Sequence, residues 1–133
     1  MSSLVADTHA ALWYLTADPR LPERPRSLMA AADQGAGYIF ISTISIVEVT
    51  YLVEKSRVSA SSLEKLLIAL REDRSRLRDI QLSFSIAKVL ALVPRQEVPD
   101  LPDRIIAATA LALGVPLVTA DRQIRASGIE TIW

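Results

Sequence analysis

Residues 99–121 read PDLPDRIIAATALALGVPLVTAD, and this stretch decides the fold. Two carboxylates, Asp100 and Asp103, stand on either side of Pro102. A small-residue apolar segment over 105–113 follows, then Gly114, an apolar strand signal over 115–118, and the polar ending Thr119-Ala120-Asp121. Physically this is helix, cap, strand, acid. Pro102 suits a first helical turn, where its missing N–H costs nothing, and Gly114 suits the residue after the last turn. Past Arg104 the helix has almost no polar face, and Ala107, Ala108, Ala110 and Ala112 permit close backbone approach. A helix apolar on all sides is expected to be buried. The most buried helix of the chain is thus predicted to start with acids and to feed a strand that ends in one. That arrangement costs free energy unless something cationic compensates it.

Outward from this stretch, strand and helix signals alternate. Residues 4–6 form a short apolar strand ending at Asp7, and 10–15 read as a helix. Residues 18–26 carry Pro19, Pro22 and Pro25 with Arg20, Arg24 and Arg26, the composition of a stiff basic loop. A helix over 27–34 closes at Gly35 and Gly37, a second strand covers 38–41, and another helix starts within 42–45 and runs to about Lys55. The cleanest amphipathic helix spans 61–72, with Leu63, Leu66, Leu67 and Leu70 at i, i+3, i+4 and i+7. A basic stretch over 71–78 precedes a third strand at 80–84 and a helix through about Leu92, and 129–133 is a final short strand. Continuous apolar strands alternating with helices imply an α/β fold with a parallel sheet covered on both faces.

Composition sets the limits. With 133 residues the chain is expected to form one domain over 1–133, large enough for a proper core. Hydrophobic content of 50% and only 4 glycines exclude a disordered chain. With 0 cysteines there is no disulfide frame, thiol nucleophile or thiolate metal site. The start MSSLVAD has no basic region before its apolar run and does not read as a signal peptide. The longest apolar run, 105–120, is broken by Thr109, Gly114 and Pro116 and is too short to span a bilayer. The expectation is a cytoplasmic protein with no membrane partner. A formal charge of +0, from 15 basic and 15 acidic residues, argues by itself against non-specific nucleic-acid binding.

In parallel sheets ligands bind outside the carboxyl ends of the strands, and the acids fall there. Asp7 ends strand one, Glu48 lies one to two turns into the helix after strand two, Asp103 opens the buried helix, and Asp121 follows the strand at 117–118. Carboxylates crowded in one pocket raise one another's pKa, so either some are protonated or a divalent cation sits among them. All-oxygen ligation of this kind suits Mg²⁺ or Mn²⁺. Each acid also has a plainer reading. Asp7 and Asp121 suit helix caps, Asp103 favours a positive helix end, and Asp100 either caps the helix or assists the site. Ser45-Ile46-Val47-Glu48 matches a capping box, as does Ser61-Ser62-Leu63-Glu64. His9 is the only histidine, which rules out a His-rich zinc site.

LVADTHAALWYL, ISTISIVEVTYL, PDLPDRIIAATALALGVPLVTAD and the closing IETIW resemble the PIN-domain family, specifically VapC-like toxins of bacterial toxin–antitoxin pairs. The resemblance covers nearly the whole chain in order. It implies a three-layer α/β/α sandwich around a mostly parallel twisted sheet of about five strands. It also implies a Mg²⁺- or Mn²⁺-dependent endoribonuclease that hydrolyses phosphodiester bonds in single-stranded or structured RNA. The family's acidic constellation carries over to Asp7, Glu48, Asp103 and Asp121, with Asp100 as a frequent extra acid. Thr8 and Thr119 resemble its supporting hydroxyls. A homodimer and a small antitoxin that blocks the pocket are further implications. One departure stands out: many relatives have His-Arg-Asp-Pro-Phe-Asp where this chain has Val98-Pro99-Asp100-Leu101-Pro102-Asp103, which keeps the acids and lacks the His and Arg.

Committing five acids to a metal site leaves the rest of the chain with a basic surplus. Arg20, Arg24 and Arg26, and the set Arg71, Arg74, Arg76 and Arg78, then become candidates for following a phosphate backbone, against ordinary solvated charge. Trp13, Tyr14, Tyr38 and Tyr51 are candidates for base stacking, against core packing. A receiver domain lacks support, because strand one offers only Asp7. A nucleotide-binding loop is likewise missing, because no Gly-Lys-Ser/Thr run occurs. The alternative to a nuclease is a non-catalytic PIN-like module that binds RNA or a partner.

Overall fold

The structure, a computed structural model, describes residues 2–133. Its strands β1 (Leu4–Ala6), β2 (Ile39–Ser42), β3 (Leu77–Ile80), β4 (Leu117–Val118) and β5 (Thr131–Ile132) form one sheet in the order β3-β2-β1-β4-β5. Every pair is parallel. The intervening helices are α1 (Thr8–Leu15), α2 (Glu23–Ala31), α3 (Thr43–Glu54), α4 (Ala60–Arg71), α5 (Phe84–Val89), α6 (Leu101–Leu113) and α7 (Arg122–Ala126). The chain builds outward from β1 to β2 and β3, then crosses back to lay β4 against the other side of β1. Such a reversal of strand order opens a crevice beyond the carboxyl ends of the strands.

Alternation along the strands sorts the core into two layers. Leu4, Ala6, Ile39, Ile41 and Val118 face one side, against Leu12, Met29, Val49 and Leu66 of α1 to α4. Val5 and Leu117 face the other, against Ile86, Ile106, Ala107, Ala110 and Ile124 of α5 to α7. The architecture is the expected α/β/α sandwich. No helix among the described residues is long and apolar enough to cross a membrane.

Several local expectations are corrected. The basic 18–26 segment is not all loop, because α2 begins at Glu23 with Pro22 as its cap and Pro25 in its first turn. Prolines are tolerated there because those N–H groups have no partner inside the helix. The third strand is 77–80 rather than 80–84. It pairs with β2 from Ile39↔Leu77 to Ser42↔Ile80, leaving Leu82 and Phe84 exposed beyond it. An edge strand tolerates Arg78 and Asp79, so an apolar run is the wrong template for it. Both capping boxes also fail. Ser42 caps α3 and Ser59 caps α4, which puts Ser45 and Ser61 inside their helices. Helix α6 is buried from Ile105 to Ala110 but not on all sides, since Leu111 and Leu113 are exposed. Finally, α7 lies where the sequence signals predict no helix.

Gly37 shows how tightly β1 and β2 enter the sheet. Its backbone is extended, so the requirement is space: an added Cβ would sit 2.6 Å from both Ser2 C and Ser3 N. Backbone cannot give way as a flexible side chain can. Gly37→Ala is therefore expected to lower stability by about 1–3 kcal/mol, read as a fall of several degrees in Tm. An unchanged Tm would show that the 2–3 segment moves aside freely.

Candidate active site

An open cleft of about 540 Å³ lies beyond the ends of β1 and β4, and Asp7, Thr8, Glu48, Asp100, Asp103 and Asp121 line it. All five acids singled out from the sequence thus reach one place. Asp7 follows β1 and caps α1. Its Oδ1 accepts the Thr8 N–H at 2.8 Å and its Oδ2 accepts the Thr119 hydroxyl at 2.7 Å. Thr119, fully buried after β4, accepts in turn from the Asp121 N–H at 3.0 Å. One hydroxyl therefore ties together acids from the two ends of the chain. Asp121 caps α7 through Oδ1, at 2.8 Å from Gln123 N and 3.1 Å from Ile124 N, and its Oδ2 has no hydrogen-bond partner among the described residues.

Across the cleft, the Thr8 hydroxyl donates to Glu48 Oε1 at 2.7 Å and lies 2.9 Å from the buried Ser45 Oγ. Ser45 is therefore no cap: it stands one turn before Glu48 on the same helical face and packs behind it. The i, i+3 spacing is the sequence signal for that role. Asp100 caps α6, accepting the Asp103 N–H at 3.4 Å, and Asp103 occupies the first turn. The plainer readings of Asp7, Asp100 and Asp121 as caps are thus correct, and each cap still faces the cleft.

Crowding shows in the titration of these groups. Burial, then repulsion from Asp7, Asp100 and Asp121, pushes Asp103 up from 3.8 to about 8. Burial also raises Asp7, against the Thr119 and Thr8 hydrogen bonds that favour its anion. Glu48 is raised by burial, with Asp7 and Asp100 adding to the shift and the Thr8 hydroxyl opposing it.

A family model described as PIN domain matches residues 4–129. The chain belongs to the PIN-domain family. This PIN domain is similar to Ribonuclease VapC22 of Mycobacterium tuberculosis, 29% identical over 125 residues that cover 94% of this chain and 92% of that protein. Its fold matches VapBC2 from Rickettsia felis bound to a promoter DNA fragment, with a TM-score of 0.71 at 21% identity, covering 98% of this chain and 97% of that chain. It also matches a toxin–antitoxin complex from Klebsiella pneumoniae, with a TM-score of 0.66 at 24% identity, covering 98% and 96%.

The donors that the PIN domain gathers are carboxylate oxygens, with no thiolate and a single imidazole, that of His9, on the wall. That set fits a hard divalent cation. Among the described residues, however, no three His, Cys, Asp or Glu side chains stand close enough to clasp an ion as they are arranged. Repulsion among these carboxylates, which adds to burial in raising Asp103, opposes their closer approach, and a bound cation would balance it. Of Arg20, Arg24 and Arg26, the candidates for following a phosphate backbone, Arg20 reaches the cleft wall. Arg24 is exposed and does not line it, and Arg26 donates to the Asp18 and Leu21 carbonyls at 3.0 and 2.6 Å. Trp133 also lines the cleft, a position that only the pairing of β4 with β5 reveals.

A pH profile follows from the raised Asp103. Below about pH 4 its carboxyl is protonated in folded and unfolded chains alike. Above that the unfolded chain ionises while the folded one keeps its proton up to about pH 8. The folded state binds more protons throughout that window, so stability falls as pH rises and levels off beyond it. Asp7 and Glu48, shifted in the same direction, steepen the fall. Denaturant titrations in chelator should show this loss, and it should be smaller in Asp103→Asn. Identical profiles for the two proteins would contradict the crowding.

Proposed function

We propose that this PIN domain is a Mg²⁺- or Mn²⁺-dependent endoribonuclease and the toxin of a toxin–antitoxin pair. The observation that carries the reading is the convergence of Asp7, Glu48, Asp103 and Asp121 on one cleft, where burial and then the neighbouring carboxylates raise Asp103. Asp7, Asp103 and Asp121 would hold the ion through oxygen, and Glu48 would be a further ligand, directly or through water, or would orient the attacking water. When bound, the cation activates water at neutral pH and neutralises charge developing on the phosphate and the leaving oxygen.

The chain's own share is placement. Thr119 and the Thr8 N–H hold Asp7 from both carboxylate oxygens, fixing its rotamer and favouring its anion. The Thr8 hydroxyl aims Glu48 across the cleft, with Ser45 behind it. Helices α1 and α6 point their positive N-terminal ends at the acids, which partly offsets the crowding.

Similarity to a protein named a ribonuclease supports the activity. Structural likeness to VapBC complexes supports an antitoxin partner. A cytoplasmic homodimer acting on single-stranded or structured RNA completes the proposal.

Purified protein should cut RNA in Mg²⁺ or Mn²⁺ and stop in chelator, and the metal should raise Tm by linkage. Asp7→Asn should abolish cleavage without unfolding the chain. Glu48→Gln keeps size and loses charge, so it should lower the cleavage rate on the order of 100-fold while the metal-free Tm holds or rises. Glu64→Gln, Asp79→Asn and Glu130→Gln lie outside the cleft and should cleave normally. Cleavage that persists in chelator, or full activity in Glu48→Gln, contradicts the assignment.

A further inference from the structure

A second open cleft of about 580 Å³ adjoins the acidic one, and His9, Trp13 and Arg20 line both. Its far wall is formed by the turn after α3 and the first turns of α4, including Arg57, Ser59 and Lys65. The two clefts carry opposite charge. Three cations, Arg20, Arg57 and Lys65, line the second, and its carboxylate Asp18 is taken up by Arg20 through both oxygens, at 3.0 and 2.8 Å. That pair is the one salt bridge among the described residues, so Arg57 and Lys65 are exposed cations with no carboxylate partner. At the passage between the clefts lies Trp13. Its ring centroid is 5.9 Å from that of His9 and 6.0 Å from that of Trp133, and the Arg20 guanidinium lies 4.9 Å from its centroid.

The carboxylates of the first cleft repel an incoming phosphate, and cations beside the approach offset that repulsion. Cationic grooves interleaved with aromatic faces hold single strands because every base has a face to stack. We propose that the second cleft is a subsite for the single-stranded RNA flanking the phosphate to be cut. Arg57 and Lys65 take backbone phosphates, and Trp13 stacks a base where the strand passes into the acidic cleft. The inference rests on the ribonuclease reading and adds the side from which the strand enters. An acidic protein segment would satisfy the cations but has no bases to lay on Trp13, and so is disfavoured.

The test uses fluorescein-labelled oligouridylate of about ten nucleotides, titrated in Mg²⁺ against Asp7→Asn protein so that the strand stays intact. Adding Arg57→Ala and Lys65→Ala should weaken binding about tenfold or more. It should also flatten the slope of log K against log salt by about 1.4, roughly 0.7 for each phosphate of a single strand that is no longer neutralised. Lys88→Ala, an exposed cation on α5 outside both clefts, should change neither. With Trp133→Phe, Trp13 is the sole tryptophan of the 2 in the chain, and RNA should quench its fluorescence. An unchanged slope and affinity in the double variant, or an unquenched Trp13, overturns the subsite while leaving the ribonuclease reading intact. RNA that binds neither protein overturns both. A polyglutamate peptide of equal charge that displaces the RNA as well as unlabelled RNA does would overturn the assignment to nucleic acid.

Discussion

The pairing of β1 with β4 is the constraint on which the site depends. It is a short seam, Val5↔Leu117 and Ala6↔Val118, continued by the Asp7 N–H donating to the Val118 carbonyl at 2.9 Å. That continuation leaves the Asp7 carboxylate facing the Thr119 hydroxyl, which in turn receives the Asp121 N–H. Because successive side chains point to opposite faces, a slip of one residue would carry Val5 into the wrong core layer and turn Asp7 away from Thr119. Core packing and site geometry are therefore enforced by the same register. Val5, Ala6, Leu117 and Val118 are almost wholly inaccessible to solvent, so the penalty for slipping is large.

Against this rigid seam stands the mutual repulsion of the acids. The fold brings carboxylates from four separate segments to one rim, and Asp103 is raised by its burial there and then by its acidic neighbours. Partial compensation is built in, since Asp7, Asp100 and Asp121 each sit at a helix N-terminus where backbone N–H groups favour negative charge. Capping and crowding are thus two sides of one arrangement. Such residues satisfy a local rule of helix formation and a long-range demand at once. This is why each looks ordinary when taken singly.

The fold is legible in the sequence because its signals are local. Pro102 and Gly114 mark the start and stop of α6, and Gly114 takes the left-handed conformation at φ 66 that makes it a natural terminator. The acids are legible through topology, since each follows a strand or opens a helix at the same sheet edge. What escapes depends on partners distant in sequence. Leu77 gains its strand identity from pairing with Ile39, although polar Arg78 and Asp79 follow it. Ser45 reveals its place only when Thr8 arrives beside it. Helix α7 is five residues long and announces itself mainly through Asp121, whose side chain accepts two of its N–H groups. A cap with so little helix after it leaves a weak periodic trace.

The seam between β1 and β4 also bears on how the molecule comes into being. Residues 2–113 supply β1, β2, β3 and the helices that bring Asp7, Glu48 and Asp103, yet Asp7 still lacks Thr119, and the cleft lacks Asp121 and Trp133. A chain emerging from the ribosome therefore holds most of its acids while the wall that orders them has not been made. Contacts so far apart in sequence also form late, because a long loop must close before they contribute. Assembly of the cleft is thereby deferred until residues 117–133 have been made, and a fragment that stops before them carries parts of the site without its geometry.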